Sequence, residues 1–231
     1  MISGNFNEFS FGEGDFWCNK KAPSDNAVDK CTVIRASSEK SDGSVSQSFS
    51  GSFYIGSAEE HIKGLKESCE AAGHDLAVMN ITMDYADLFD SKIGIYVKGD
   101  IFNKALEDYK SSGESIENET ARQLDANYKQ RGKEWERDCH IELNEISAEG
   151  NVTTALSQDC GIRIQGNYSR SDLQKGFRLY ARKKYGEKKF KYGVFEGLKN
   201  ASDETIDSFK TLTLRAGGNC AFTAKFNDTY W

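Results

Sequence analysis

Apolar and polar positions alternate over several short stretches of the chain, and the period of that alternation sorts them into strands and helices. Residues 31–36 (Cys-Thr-Val-Ile-Arg-Ala) read as a strand, the polar stretch 37–44 as a turn and residues 46–55 as a returning strand. A lone hairpin is marginal in water, so this one needs more sheet than its own segment supplies. Ser57 and Glu60 have the spacing of a capping box. They predict a helix to about residue 72, stopped at Gly73, with Ile62, Leu65 and Cys69 on one face.

Further on, residues 76–82 form a continuous apolar run of the buried-strand type, followed by a turn over 84–90 and a short glycine-bounded strand over 94–99. A helical turn or two is predicted over 100–109. A second helix follows over 119–135, with Leu124, Tyr128 and Trp135 facing inward. Strands are predicted over 139–143, 161–166, 175–182 and 211–215. Residues 144–157 read as a loop or hairpin turn, 202–209 as a helix and 216–219 as a tight turn. On the strand 175–182, Phe177, Leu179 and Ala181 share one face, and Arg178, Tyr180 and Arg182 share the other. No regular βαβ series is visible. The class expected is α+β, with a mostly antiparallel sheet, interspersed helices and a small β-rich N-terminal segment.

Composition narrows the function classes. Apolar residues make up 38% of the 231, enough for a packed core, and charged residues 29%, with no apolar run near the roughly 20 residues that span a bilayer. The first residues carry neither a basic n-region nor an apolar h-region, so no secretory signal is expected on this chain. The net charge of -6 conceals a split. Eleven Lys and Arg against three acids lie between Arg163 and Lys199, a local +8, so the rest of the chain carries -14. Such asymmetry points to an anionic ligand, or to a solvated basic hairpin face.

The six cysteines are scattered, with no CxxC pair, and the three histidines are far apart, which argues against a zinc knuckle. Cys18 and Cys31 could close a hairpin disulfide, although free thiols are the simpler expectation. His140 adjoins Cys139, but neighbours on a strand face opposite ways. No GxSxG, HExxH, Walker A or GxGxxG occurs, so the common nucleophile and metal chemistries have no sequence support.

The informative block is Gly161-Ile-Arg-Ile-Gln-Gly-Asn-Tyr-Ser-Arg170 followed by Leu173-Gln-Lys-Gly-Phe-Arg-Leu-Tyr-Ala-Arg182. Two strands and a short turn would gather Arg163, Arg170, Lys175, Arg178 and Arg182, with glycines that allow close backbone approach. That is a sensible cradle for a nucleotide phosphate, since Arg gives bidentate contacts and Lys a point charge.

These residues, with Asp87-Leu-Phe-Asp90, Gly94-Ile-Tyr-Val97, Gln130-Arg-Gly-Lys-Glu-Trp-Glu-Arg137, Tyr185-Gly186 and Leu214-Arg-Ala-Gly-Gly-Asn219, resemble the CotH kinase family, the spore coat protein H-like atypical protein kinases. The resemblance runs from about Asp75 to Trp231. Residues 33–56 look like the tail of a chitobiase-C-terminal-like β-domain. The organisation expected is a partial β-sandwich-like segment over 1–57 and the N-terminal portion of a CotH kinase-like domain over 58–231.

The resemblance implies a kinase-like N-terminal lobe in a secreted or spore- or cell-surface protein. Such a protein binds ATP with Mg²⁺ or Mn²⁺ and phosphorylates serines of coat or surface proteins. Carried over residue by residue, Lys175 becomes the phosphate-contacting lysine and Arg163, Arg170 and Arg178 the supporting cations, with Arg215 and Asn219 nearby. The chain departs from the family pattern at Arg137-Asp138, where Arg-Pro is usual, and at Leu173-Gln174-Lys175-Gly176, where Pro-Gln-Lys-Ser is common. The family's catalytic and metal-binding acids lie beyond the position of Trp231, so the chain reads as a fragment of a kinase. Two alternatives remain open: a non-catalytic surface or assembly module, and, more weakly, a nucleic-acid binder using the basic 163–199 segment with Tyr168, Phe177, Tyr180 and Tyr185.

Overall fold

A computed structural model describes residues 31–46, 48–73, 76–113, 122–147, 149–172, 174–195 and 197–216. Its centre is a five-stranded antiparallel sheet in the order β3-β4-β5-β6-β9. The strands are β3 (Leu76–Thr82), β4 (Arg137–Ile146), β5 (Val152–Gln165), β6 (Gly176–Tyr180) and β9 (Thr211–Leu214). Ahead of it stand the hairpin β1 (Thr32–Ala36) and β2 (Phe49–Phe53), and β7 (Phe190–Lys191) pairs with β8 (Ser208–Phe209). Among the described residues the helices are α1 (Ser57–Ala71), α2 (Tyr85–Phe89) and α3 (Gly99–Lys110). Among the described residues no helix is long and apolar enough to cross a membrane.

Alternation divides the sheet into two faces. Ile141, Cys160, Ile162 and Leu179 are fully buried on one face, where Phe102, Tyr128 and Phe190 close the core over them. The other face carries Asn80, His140, Glu142 and Asn144 toward β3, and Arg163, Arg178 and Tyr180 toward β6. The β1–β2 hairpin finds its additional sheet contact here, because the Tyr54 hydroxyl lies 3.2 Å from both Asn80 Oδ1 and Asn144 Nδ2.

Several elements differ from expectation for identifiable reasons. Helix α1 is capped by Gly56 without a side-chain bond, so Ser57 opens the helix and forms no capping box. Leu65 remains 36% exposed, while Ala58 is the residue of this helix that is buried. The predicted turn after β3 is helix α2, capped by Asp84, whose carboxylate accepts the Ala86 amide. The apolar segment 94–99 is buried but is no strand. The Ile95 and Tyr96 amides fold back onto Asp87 O and Leu88 O, so no ladder forms.

Residues 122–135 hold two short 3-10 turns in place of a continuous helix. There Asn127 turns its amide into the 91–94 loop, donating to Ser91 O and Gly94 O. Gly99, at φ 65°, leaves it room, since a Cβ there would stand 2.1 Å from the Asn127 amide. The inward placing of Tyr128, Leu124 and Trp135 holds nonetheless. The expected loop 144–157 is mostly strand, with the Ser147 amide donating to Asn151 O where β4 hands over to β5. The expected helix over 202–209 is replaced by a polar turn and β8. Asn200 Oδ1 accepts the amides of Ser202 and Glu204, and Asp203 takes φ 63°.

Cys139 and Cys160 stand opposite each other in the core, Sγ to Sγ 3.5 Å. The shared hydrogen bond and burial push the Cys139 thiol well above its usual range. Alkylation of the native chain by iodoacetamide, mapped by mass spectrometry, should therefore modify half-buried Cys31 and Cys69 and spare Cys139 and Cys160 until unfolding. Equal rates at Cys160 and Cys69 would mean that the β4–β5 core does not pack this way.

Candidate anion-binding site

The basic residues expected to form one cradle divide into two groups. Arg163 on β5 and Arg178 on β6 are direct cross-strand partners on the polar face of the sheet. Arg182 and Lys184 follow β6 and converge on the same place. At the centre is Glu136, which leaves the 3-10 turn Lys133–Trp135 just before β4 and whose side chain is 1% exposed.

Glu136 is an acceptor for almost everything around it. Arg163 donates from Nε and Nη2 to Oε2 at 3.1 and 2.7 Å. Arg182 reaches both carboxylate oxygens from Nε and Nη2 at 3.0–3.1 Å. The Tyr185 hydroxyl donates to Oε1 at 3.1 Å, and Lys184 Nζ lies 3.4 Å from the same atom. Burial alone would raise this carboxyl, but the hydrogen bonds from Arg182 and Arg163 outweigh it and hold Glu136 below the usual carboxylate range. Gly161 makes the insertion possible, because a Cβ there would stand 2.7 Å from Glu136 Cδ. The glycine thus admits a protein carboxylate to the sheet face.

One carboxylate does not neutralise this cluster. Asp138 lies at its rim, 4.0 Å from Lys184. Arg178 makes no ion pair among the described residues, and its Nε is buried without a hydrogen-bond partner. Like charges directly opposite on neighbouring strands are unfavourable, and a buried unpaired donor costs about 1–3 kcal/mol. Three arginines also surround the Tyr180 ring, with guanidinium carbons 4.5 Å (Arg163), 4.8 Å (Arg182) and 5.7 Å (Arg178) from its centroid. An anion placed beside Arg178 would satisfy all of these at once.

The second group is buried in contacts with the protein's own carbonyls and rings. Arg170, 6% exposed, donates from Nε to Gly166 O, from Nη1 to Tyr128 O and Gln130 O, and from Nη2 to Ile164 O. Lys175, 3% exposed, donates from Nζ to Asp172 O and lies 4.5 and 5.0 Å from the Tyr128 and Tyr96 ring centroids. Its amide donates to the Tyr96 hydroxyl, whose pKa burial pushes up to about 12. The Arg122–Asp172 ion pair adjoins it, with Arg122 also donating to Ser171 Oγ. Arg215 is exposed just past β9, beside Gly176, and Asn219 lies outside the described residues.

The basic block read from the sequence contains Arg163, Arg178 and Arg182. The sequence assigns no role in this cluster to Glu136, Lys184 or Tyr185, which meet only when the residue before β4 packs against the turn after β6. Among the described residues no group of three His, Cys, Asp or Glu is arranged to hold a metal ion. Compared with known proteins, the chain matches no family model, no curated protein and no solved structure.

Proposed function

We propose that the chain is the nucleotide-binding part of a CotH-like protein kinase, with its phosphate subsite at the Glu136 cluster. The observation that carries this is Arg178, set opposite Arg163 on the polar sheet face with no ion pair among the described residues and its Nε buried without a hydrogen bond. The motifs that resemble the CotH kinase family run through this same cluster, and the antiparallel sheet with few helices is compatible with a kinase-like lobe. Arg163, Arg178 and Arg182 would take the phosphates by charge-assisted bonds, with Lys184 at the rim. Glu136 would preset the arginine forks, a role comparable to that of the acid paired with the phosphate lysine in protein kinases. Lys175 and Arg170 would act at one remove, by holding the turn after β5. ATP with Mg²⁺ or Mn²⁺ is the expected ligand and a serine of a coat or surface protein the expected acceptor.

The test is calorimetric titration with ATP and Mg²⁺ or Mn²⁺. Arg178→Ala should lose one charge-assisted contact, about 1.5–3 kcal/mol, or roughly ten- to a hundredfold in affinity. Lys188→Ala, on the exposed stretch beyond Tyr185, should change affinity little, as a solvated charge contributes about 0–1 kcal/mol. Equal losses at both positions, together with salt-sensitive binding of random oligonucleotides, would favour the nucleic-acid alternative. That alternative is weakened by Phe177, which packs on Tyr96 in the core, 5.8 Å between centroids, and offers no stacking surface.

A further inference from the structure

On the same polar face, but toward β3, the pairing of β4 with β5 assembles three residues that no sequence motif connects. His140 on β4 is the direct cross-strand partner of Asp159 on β5, and Ser157 lies two residues before Asp159, hence on the same face. His140 Nδ1 is 2.7 Å from Asp159 Oδ1, and Nε2 is 3.1 Å from Ser157 Oγ. The His140 side chain is 9% exposed and that of Asp159 35%, whereas Ser157 is open to solvent.

We propose that Ser157 is a nucleophilic serine, with His140 as its general base and Asp159 as the positioning residue, and that it accepts acyl groups from small esters. A carboxylate at Nδ1 selects the tautomer with the proton on Nδ1. That leaves the Nε2 lone pair to accept the Ser157 hydroxyl proton, the arrangement that activates a serine. Both hydrogen bonds are fixed by strand register, so the imidazole is oriented before any substrate arrives. Next to Ser157 the ladder is irregular. The register shifts between Leu143 and Asn144, leaving Ala155 as an extra residue on β5, and bulges of this kind re-aim neighbouring side chains. Glu142 stands directly opposite Ser157, so neutral or cationic esters are favoured over anionic ones.

The step balances without any further reagent. Ser157 Oγ bonds to the ester carbonyl carbon as its proton passes to His140 Nε2, and the ester C–O bond then breaks. The leaving alkoxide takes that proton and departs as alcohol, with the acyl group on Ser157. Water, deprotonated by the same nitrogen, then releases the acid and restores the serine. This inference is independent of nucleotide binding, since Arg178 and its neighbours take no part.

The experiment treats the whole folded chain with a fluorophosphonate probe and with 4-nitrophenyl acetate, and locates adducts by mass spectrometry. The expected result is an adduct at Ser157 that forms faster than on the urea-unfolded chain and at exposed Ser202, and that is absent from Ser157→Ala. Asp159→Asn, nearly isosteric and half-exposed, should keep the melting temperature yet slow labelling at least about tenfold. Asp159→Glu should recover part of the rate. His140→Ala should slow it by about a hundredfold or more, the usual range for loss of a general base. Labelling no faster than at Ser202, or unchanged in a folded Asp159→Asn variant, would overturn the proposal.

Discussion

Replacing Glu136 by Ala should destabilise the chain by about 3–5 kcal/mol, the usual cost of removing one partner from a buried ion cluster. For a domain of this size that is roughly 6–20 °C in melting temperature. Arg163 and Arg182 would each lose their carboxylate, leaving three arginines facing one another around Tyr180 and Lys184 without its acceptor at the cluster's centre. Inorganic phosphate or sulfate should restore much of the loss, by occupying the space of the missing carboxylate. Wild-type stability in Glu136→Ala would show that the cluster is solvated and carries no strain, and would remove the basis for an anion site beside Arg178.

The pH dependence has a definite sign. Glu136 is held below the usual carboxylate range, so its contribution is complete above the unfolded value of about 4.3 and is lost as pH falls through the lower folded value. Asp172 and Asp87 act in the opposite sense, because burial raises both. Acid unfolding followed by tryptophan fluorescence should therefore lose its lowest-pH component in Glu136→Gln. An unchanged acid limb in that variant would assign the component to other carboxylates.

What the sequence reveals here follows the range of the interactions involved. The alternation of residues 177–182 marks both faces of β6 correctly, because period-2 patterning is local and half-buried strands must obey it. Strand β3 is legible for a different reason, as a continuous apolar run bounded by polar residues, and β9 and the core segment of β5 also fall where strands are expected. The short segment 94–99 misleads because apolar residues between glycines satisfy a buried loop as well as a strand, and only the hydrogen bonds to Asp87 and Leu88 decide. Residues 202–209 mislead because Asn200 and its neighbours bond their own backbone, which competes with helix formation. In the candidate site, charge type is legible and charge role is not. Arg178 and Arg170 look alike in sequence, yet among the described residues one has no ion pair and a buried, unbonded Nε, and the other has four carbonyls. The difference lies in which strand stands opposite, as does the meeting of His140 with Asp159.

That difference supports the last prediction. Arg170→Lys should lower stability by about 3–5 kcal/mol while leaving nucleotide affinity unchanged in the fraction that folds. The guanidinium joins three separate stretches: the end of β5 at Ile164, the turn at Gly166, and the 3-10 segment at Tyr128 and Gln130. Burial lowers its pKa to about 10, which still leaves it charged at neutral pH. A lysine offers three donors from a single point and cannot span this planar fork. Two or more buried carbonyls would then go unsatisfied, at about 1–3 kcal/mol each. Hydrogen exchange should consequently rise over residues 164–170 and 127–130 together. Arg178→Ala should do the reverse, keeping the melting temperature and losing ATP. A well-folded Arg170→Lys chain of wild-type stability that no longer bound nucleotide would exchange the two roles and return the phosphates to the turn after β5.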